Sequence, residues 1–150
     1  MIPKTILKEL VVQRLKDAEA LFIKKRYHST IYMGGYAVEI ALKYKICKMY
    51  LFSKGFPENK TEFQYYIEAT NLLKIDLRDT IHNLKEIRNH DLSKLLYYSG
   101  VEFKIKTLCL DDWENIESWS PEMRYQKSSI KKAMAKGKLD SVKLLIQEIF

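Results

Sequence analysis

Turn-forming residues are scarce in this chain. Five glycines and three prolines in 150 residues disfavour a many-stranded sheet, whose tight turns draw on both. Cysteine is scarcer still. Cys47 and Cys109 are too few for a disulfide framework and lack zinc-ligand spacing, so both are expected as small buried residues in a reducing compartment. No run approaches the ~20 apolar residues that span a bilayer. The opening MIPKTILKEL places charge where a secretory signal has its apolar core. A cytoplasmic protein without a membrane segment is expected. Glycine-rich phosphate loops, HExxH, GxSxG and clustered metal ligands are all missing, so no motif for a metal or organic cofactor is present.

The apolar fraction of 47% with 30% charged residues suits one globular domain over residues 1–150. Apolar residues recur at gaps of three and four. Leu7, Val11, Leu15, Ala18 and Phe22 define a first helix over Thr5 to Arg26. Ser29 or Thr30 offers a cap for a second helix over Ile31 to Phe52, with Gly34, Val38, Ala41 or Leu42, and Ile46 on its buried stripe. Gly55 and Pro57 close it. Two such helices joined by a short link form an antiparallel hairpin. Gly34 and Gly35 each cost a helix roughly 1 kcal/mol. With Ala37 and Ala41 they remove bulk, which lets another helix approach closely.

The stretch TEFQYYIEATN suits either a helix or an extended piece. Leu73, Leu77, Ile81, Leu84 and Ile87 predict a helix. Asp91 caps a short helix carrying Leu92, Leu95 and Leu96 and ending at Gly100. VEFKIKTLCL alternates, but a lone strand has no partner, so irregular structure is expected. DDWENIESW reads as a short helix. SPEMRY begins with a serine cap and first-turn proline. Ser128 or Ser129 begins a last helix with Ile130, Met134, Val142, Leu145 or Ile146, and Ile149 on one face. The fold class is all-α, an antiparallel up-and-down bundle of four to six helices.

The net charge is +7. Basic residues concentrate from Arg124 to Lys143, where Lys127, Lys131, Lys132, Lys136 and Lys138 face a single acid, Asp140. A second group is Lys24, Lys25 and Arg26. This asymmetry suits an acidic partner or nucleic acid, but on charge alone a solvated helix face is the favoured reading. Ten tyrosines include the adjacent pairs Tyr65–Tyr66 and Tyr97–Tyr98, where one ring of each pair is expected to face outward. Exposed tyrosines serve a protein interface or stack on single-stranded bases. Of the three histidines, His82 stands four residues after Arg78. His90 stands in RNHDL beside Arg88 and Asp91, which can set its charge state.

Three stretches together resemble the prokaryotic HEPN domain: AEALFIKKRYHSTIYMGGYAVEIALKYKIC as its first helix pair, HDLSKLL as the start of its third helix, and SPEMRY followed by SSIKKAMAKGKLDSVKLLIQEIF as the step into its last. The resemblance covers residues 18–54 and 90–150, with 55–89 read as an insertion. It implies a helical homodimer, with Gly34, Gly35, Ala37 and Ala41 at a helix crossing near the dimer contact. Many members are metal-independent ribonucleases with an arginine, four to six residues, then a histidine. No histidine here has an arginine at that spacing, and Arg78 to His82 is one residue short. The chain is similar to the non-catalytic branch, the companions of a small nucleotidyltransferase that bind nucleotide or RNA. Arg78, His82, Arg88, His90, Asp91, Arg124, Tyr125, Lys131 and Lys132 are the binding residues that this reading implies. Two other readings are a divergent ribonuclease or toxin using His90 and Arg88, and a basic helical nucleic-acid-binding protein.

Overall fold

The computed structural model describes residues 1–73, 81–126 and 129–150, and these form an all-helical fold with no strand among them. In chain order the helices are α1 (Lys4–Ile23), α2 (Tyr27–Met49), α3 (Lys60–Leu73), α4 (Leu84–Ile87), α5 (Leu92–Ser99), α6 (Glu102–Leu108), α7 (Leu110–Ile116) and α8 (Lys132–Ile149), with a 3-10 turn at Pro121–Tyr125. None of the described helices is long and apolar enough to cross a membrane.

Helix α2 is the hub. α1 packs along it as the antiparallel hairpin, and α5, α8 and the 3-10 turn also rest on it. The expected stripes are the buried faces: Leu7, Val11 and Ala18 on α1, and Gly34, Val38, Ala41, Leu42 and Ile46 on α2. On α8, Val142, Leu145, Ile146 and Ile149 are buried as expected, but Met134 is exposed. The stretch between α2 and α5 contributes to the same core through Phe63, Tyr66, Ile67, Ile81, Leu84 and Ile87.

Several boundaries differ from the sequence reading, each for a local reason. α2 begins at Tyr27, because Thr30 Oγ1 donates back to the Arg26 carbonyl (3.1 Å) instead of capping. The reversal from α1 is made by Lys25 at φ +57°. α2 ends at Met49, and Leu51 turns the chain at φ +54°. TEFQYYIEATN is helical within α3. The continuous helix read through Leu73 and Ile87 falls partly on residues 74–80, outside the described residues, and Asn83 opens a new short helix by accepting from Lys85 N. VEFKIKTLCL is helical, as α6 and the start of α7, because Ile105 and Cys109 supply a buried face. Ser120 provides no side-chain cap to the backbone. Helix α8 starts at Lys132, later than the serines suggested. Asp91 and Gly100 do bound α5, Asp91 by accepting from Lys94 N and Gly100 by its left-handed φ of +73°. One ring of each tyrosine pair does face outward: Tyr65 and Tyr97 are exposed, whereas Tyr66 is buried.

The paired glycines of α2 are filled from within the chain. A Cβ at Gly35 would lie 2.2 Å from the Trp119 indole, and one at Gly34 would lie 3.1 Å from Val142 Cγ2. Gly34, Gly35, Ala37 and Ala41 are all buried in the single chain. The room they make is occupied by this chain's own Trp119 and α8.

Gly35→Ala is therefore expected to destabilise the fold by about 1–3 kcal/mol or more, the scale of overpacking against a rigid ring. Gly34→Ala is expected to change stability by less than about 1 kcal/mol, because alanine's gain in helix propensity offsets a small shift of Val142. Urea melts of both variants followed by circular dichroism check this; equal losses would contradict the distinction.

Candidate functional site

The site is built along one line of α2. Gly35, Glu39 and Lys43 follow one another at four-residue steps, so they share a face. Trp119 fills the first position. Its Nε1–H donates to the Tyr32 carbonyl at 3.1 Å, and Tyr36 lies edge-on to the indole at 4.9 Å between centroids. Tyr36 in turn meets the His90 ring edge-on at 6.4 Å.

Among the described residues Glu39 is the buried charged side chain, with 3% of it exposed. An isolated carboxylate there would be strongly disfavoured, so its oxygens must be paired. They are: Lys43 Nζ lies 2.5 Å from Oε1, and His90 Nδ1 lies 3.0 Å from Oε2 and 3.1 Å from Oε1. A carboxylate can only accept, so Nδ1 carries the hydrogen. Lys43 also lies over the Phe56 ring at 5.5 Å.

His90 reaches Glu39 because the turn between α4 and α5 is pinned on both sides. Asn89 Nδ2 donates to the Glu86 carbonyl, and Asn89 Oδ1 accepts from Asp91 N at 2.9 Å. Asp91 Oδ1 accepts from Lys94 N at 3.0 Å. Ile87 and Leu92 are buried on either side. The preceding strand of chain is held by Glu86, whose carboxylate accepts from Tyr98 Oη (2.8 Å), Asn83 Nδ2 (2.8 Å) and His82 N (3.2 Å). Burial, then the neighbouring Glu86, pushes the Tyr98 phenol up to about 12.

In front of His90 opens a groove of about 1070 Å³ between α2, α3 and α4. Lys43, Lys60, His82, Lys85, Arg88 and His90 line it, with Phe63 and Leu84 as apolar surface, and no carboxylate among the described lining residues. Behind His90 lies a smaller cavity of about 490 Å³ lined by Asp91, Glu117, Trp119 and Glu122. His90 thus stands between a basic groove and an acidic recess. Ser120 hydrogen-bonds the Glu122 carboxyl and, with Glu122's own backbone N–H, holds it below the usual range.

Burial, reinforced by the hydroxyl–hydroxyl hydrogen bond shared with Tyr32, raises the Tyr36 phenol to about 12. On the far side of these tyrosines, Arg124 hydrogen-bonds Tyr32 and lies over the Tyr125 ring at 4.7 Å.

The sequence candidates therefore divide. His82, Arg88 and His90 come together in the groove, and Asp91 caps α5 beside the recess. Arg124 and Tyr125 line neither cavity; Arg124 connects to this region through Tyr32, Tyr36 and Glu122. Lys131 and Lys132 are exposed at the start of α8 and line neither cavity. Arg78 lies outside the described residues. Sequence reasoning missed Glu39, Lys43, Lys60 and Lys85. The available signal was an acid inside the buried stripe of a glycine- and alanine-rich helix with a lysine four residues on.

Among the described residues no group of three or more histidine, cysteine, aspartate or glutamate side chains converges as a metal site. The chain matches no protein-family model, no curated protein and no solved structure.

Chemically, the groove offers cations and donors to an anion, and apolar surface to a ring. A phosphate-bearing ligand meets both requirements.

Proposed function

We propose that this chain is a non-catalytic HEPN-like module whose basic groove binds a phosphate-bearing ligand, a nucleotide or a segment of RNA. The observation that carries the reading is the convergence of Lys43, Lys60, Lys85, Arg88, His82 and His90 on one groove, with no carboxylate among its described lining residues. Lysine and arginine together neutralise phosphate charge. Binding of fluorescein-labelled single-stranded RNA and of a labelled nucleotide, followed by anisotropy, tests it. Affinity is expected to fall with salt, losing about 0.7 in log–log slope for each phosphate neutralised. Arg88→Glu with Lys85→Glu is expected to weaken binding about tenfold or more, a loss of roughly 1.4 kcal/mol. Lys131→Glu with Lys132→Glu is expected to change it little. Salt-independent binding, or none at low salt, would contradict the reading.

The homodimer and the companion nucleotidyltransferase belong to the same proposal and rest on the motif order of the sequence. Affinity purification from the native host is expected to recover a nucleotidyltransferase in fixed ratio with the chain; recovery of the chain alone would remove that part.

One observation favours a second reading, metal-independent RNA cleavage. His90 Nδ1 is held by a buried carboxylate, which leaves Nε2 to take a proton. In that reaction Nε2 removes the 2′-hydroxyl proton and the 2′-oxygen bonds to phosphorus. The phosphorus–5′-oxygen bond then breaks, the leaving oxygen is protonated, and a 2′,3′-cyclic phosphate remains. The groove's cations balance the growing phosphate charge. Incubation of single-stranded RNA with the chain in chelator would yield cyclic-phosphate ends, abolished by His90→Ala. Intact RNA with both proteins would exclude this second reading and leave the first standing.

A further inference from the structure

We propose that Glu39 is the positioning residue of the basic groove. Its buried carboxylate sets the ring tautomer of His90 and the location of Lys43, and it does so without touching the ligand. The inference rests on the ligand-binding reading above but is tested separately from it.

Three observations carry it. Glu39 is almost wholly enclosed, with 3% side-chain exposure, whereas the His90 side chain is 54% exposed. The carboxylate therefore cannot itself contact a ligand in the groove, but the imidazole can. Next, the carboxylate accepts from two donors that reach it from different parts of the chain: Lys43 on its own helix and His90, fifty-one positions along. Both donors line the groove. Third, among the described residues His90 Nε2 has no hydrogen-bond partner, so one ring nitrogen is committed inward and the other is open to a ligand.

The consequences follow from donor and acceptor chemistry. Because a carboxylate only accepts, Nδ1 keeps the hydrogen and Nε2 is the nitrogen presented to a ligand. A free imidazole in water favours the opposite tautomer, so the arrangement has a spectroscopic signature. Lys43 is fixed likewise: the Glu39 contact at 2.5 Å and the Phe56 ring at 5.5 Å hold its ammonium at one end of the groove. A side chain as flexible as lysine gives up rotamer freedom when it binds, and holding it in place beforehand reduces that loss.

The test is Glu39→Gln in the full chain, read in two ways. Long-range proton–nitrogen spectra of the histidines, recorded at alkaline pH where imidazoles are neutral, report which ring nitrogen carries hydrogen. Wild type is expected to show His90 as the Nδ1–H form, and the variant to shift to a mixture or to Nε2–H, with circular dichroism unchanged. Affinity for labelled single-stranded RNA is expected to fall about tenfold, the scale of one charge-assisted hydrogen bond. Lys43→Met should leave the tautomer as in wild type while weakening binding. An Nε2–H ring in wild type overturns the proposal whether or not the glutamine variant folds. A tautomer shift with no RNA binding by any form supports the positioning role and overturns the ligand reading instead.

Discussion

The rest of the structure depends on one close approach, that of the Trp119 indole to the backbone of α2 at Gly35. Any side chain at position 35 would occupy the space of the ring, since a Cβ there would lie 2.2 Å from it. The two glycines cost the helix about 2 kcal/mol together. Removing an indole of at least 150 Å² from water returns roughly 4 kcal/mol, and the Nε1–H bond to Tyr32 keeps that burial from leaving an unpaired donor. The exchange favours docking. It brings the segment after α7 across α2 and places Tyr36 between Trp119 and His90.

The same helix face continues from that notch into the charged part of the molecule. Gly35 receives Trp119, Glu39 receives His90, and Lys43 faces the groove. Burying a carboxylate is tolerable only with paired donors, and breaking one such pair by truncation typically costs 3–5 kcal/mol. Glu39 therefore ties the α4–α5 turn to the hub helix, in addition to shaping what that turn presents. Structure and candidate site share one row of residues. Tyr36 touches both the Trp119 indole and the His90 ring and so lies between the notch and the site.

Much of this was legible in the sequence, and what was not has physical causes. Periodicity exposed the buried stripes of α1, α2 and most of α8, because a 3.6-residue repeat is a local signal. The glycine pair was read as a helix crossing, whereas Gly35 is filled by the Trp119 ring, eighty-four positions away and outside any helix. Thr30 resembled a cap, yet its hydroxyl bonded backward into the helix. Helix α6 was hidden because Val101, Ile105 and Thr107 favour strands, and tertiary burial overrode that preference. His90 stood out through its neighbours, whereas Glu39 did not: an acid in an apolar run reads as solvent-facing unless its distant partner is known. Lys60 and Lys85 were likewise indistinguishable from other surface lysines until the fold brought α3 and α4 to one groove. The HEPN resemblance and its dimer remain proposals that the helical class accommodates.

The central claim is that Trp119 docks into the glycine notch of α2 and thereby frames the Glu39–His90 pair. Nuclear Overhauser contacts measure this directly in the full-length chain. Strong cross-peaks from the Trp119 indole Hδ1 and Hε1 to the Gly35 Hα protons, with slow exchange of the indole N–H, are the predicted result. A rapidly exchanging Trp119 N–H with no contact to Gly35 would contradict it.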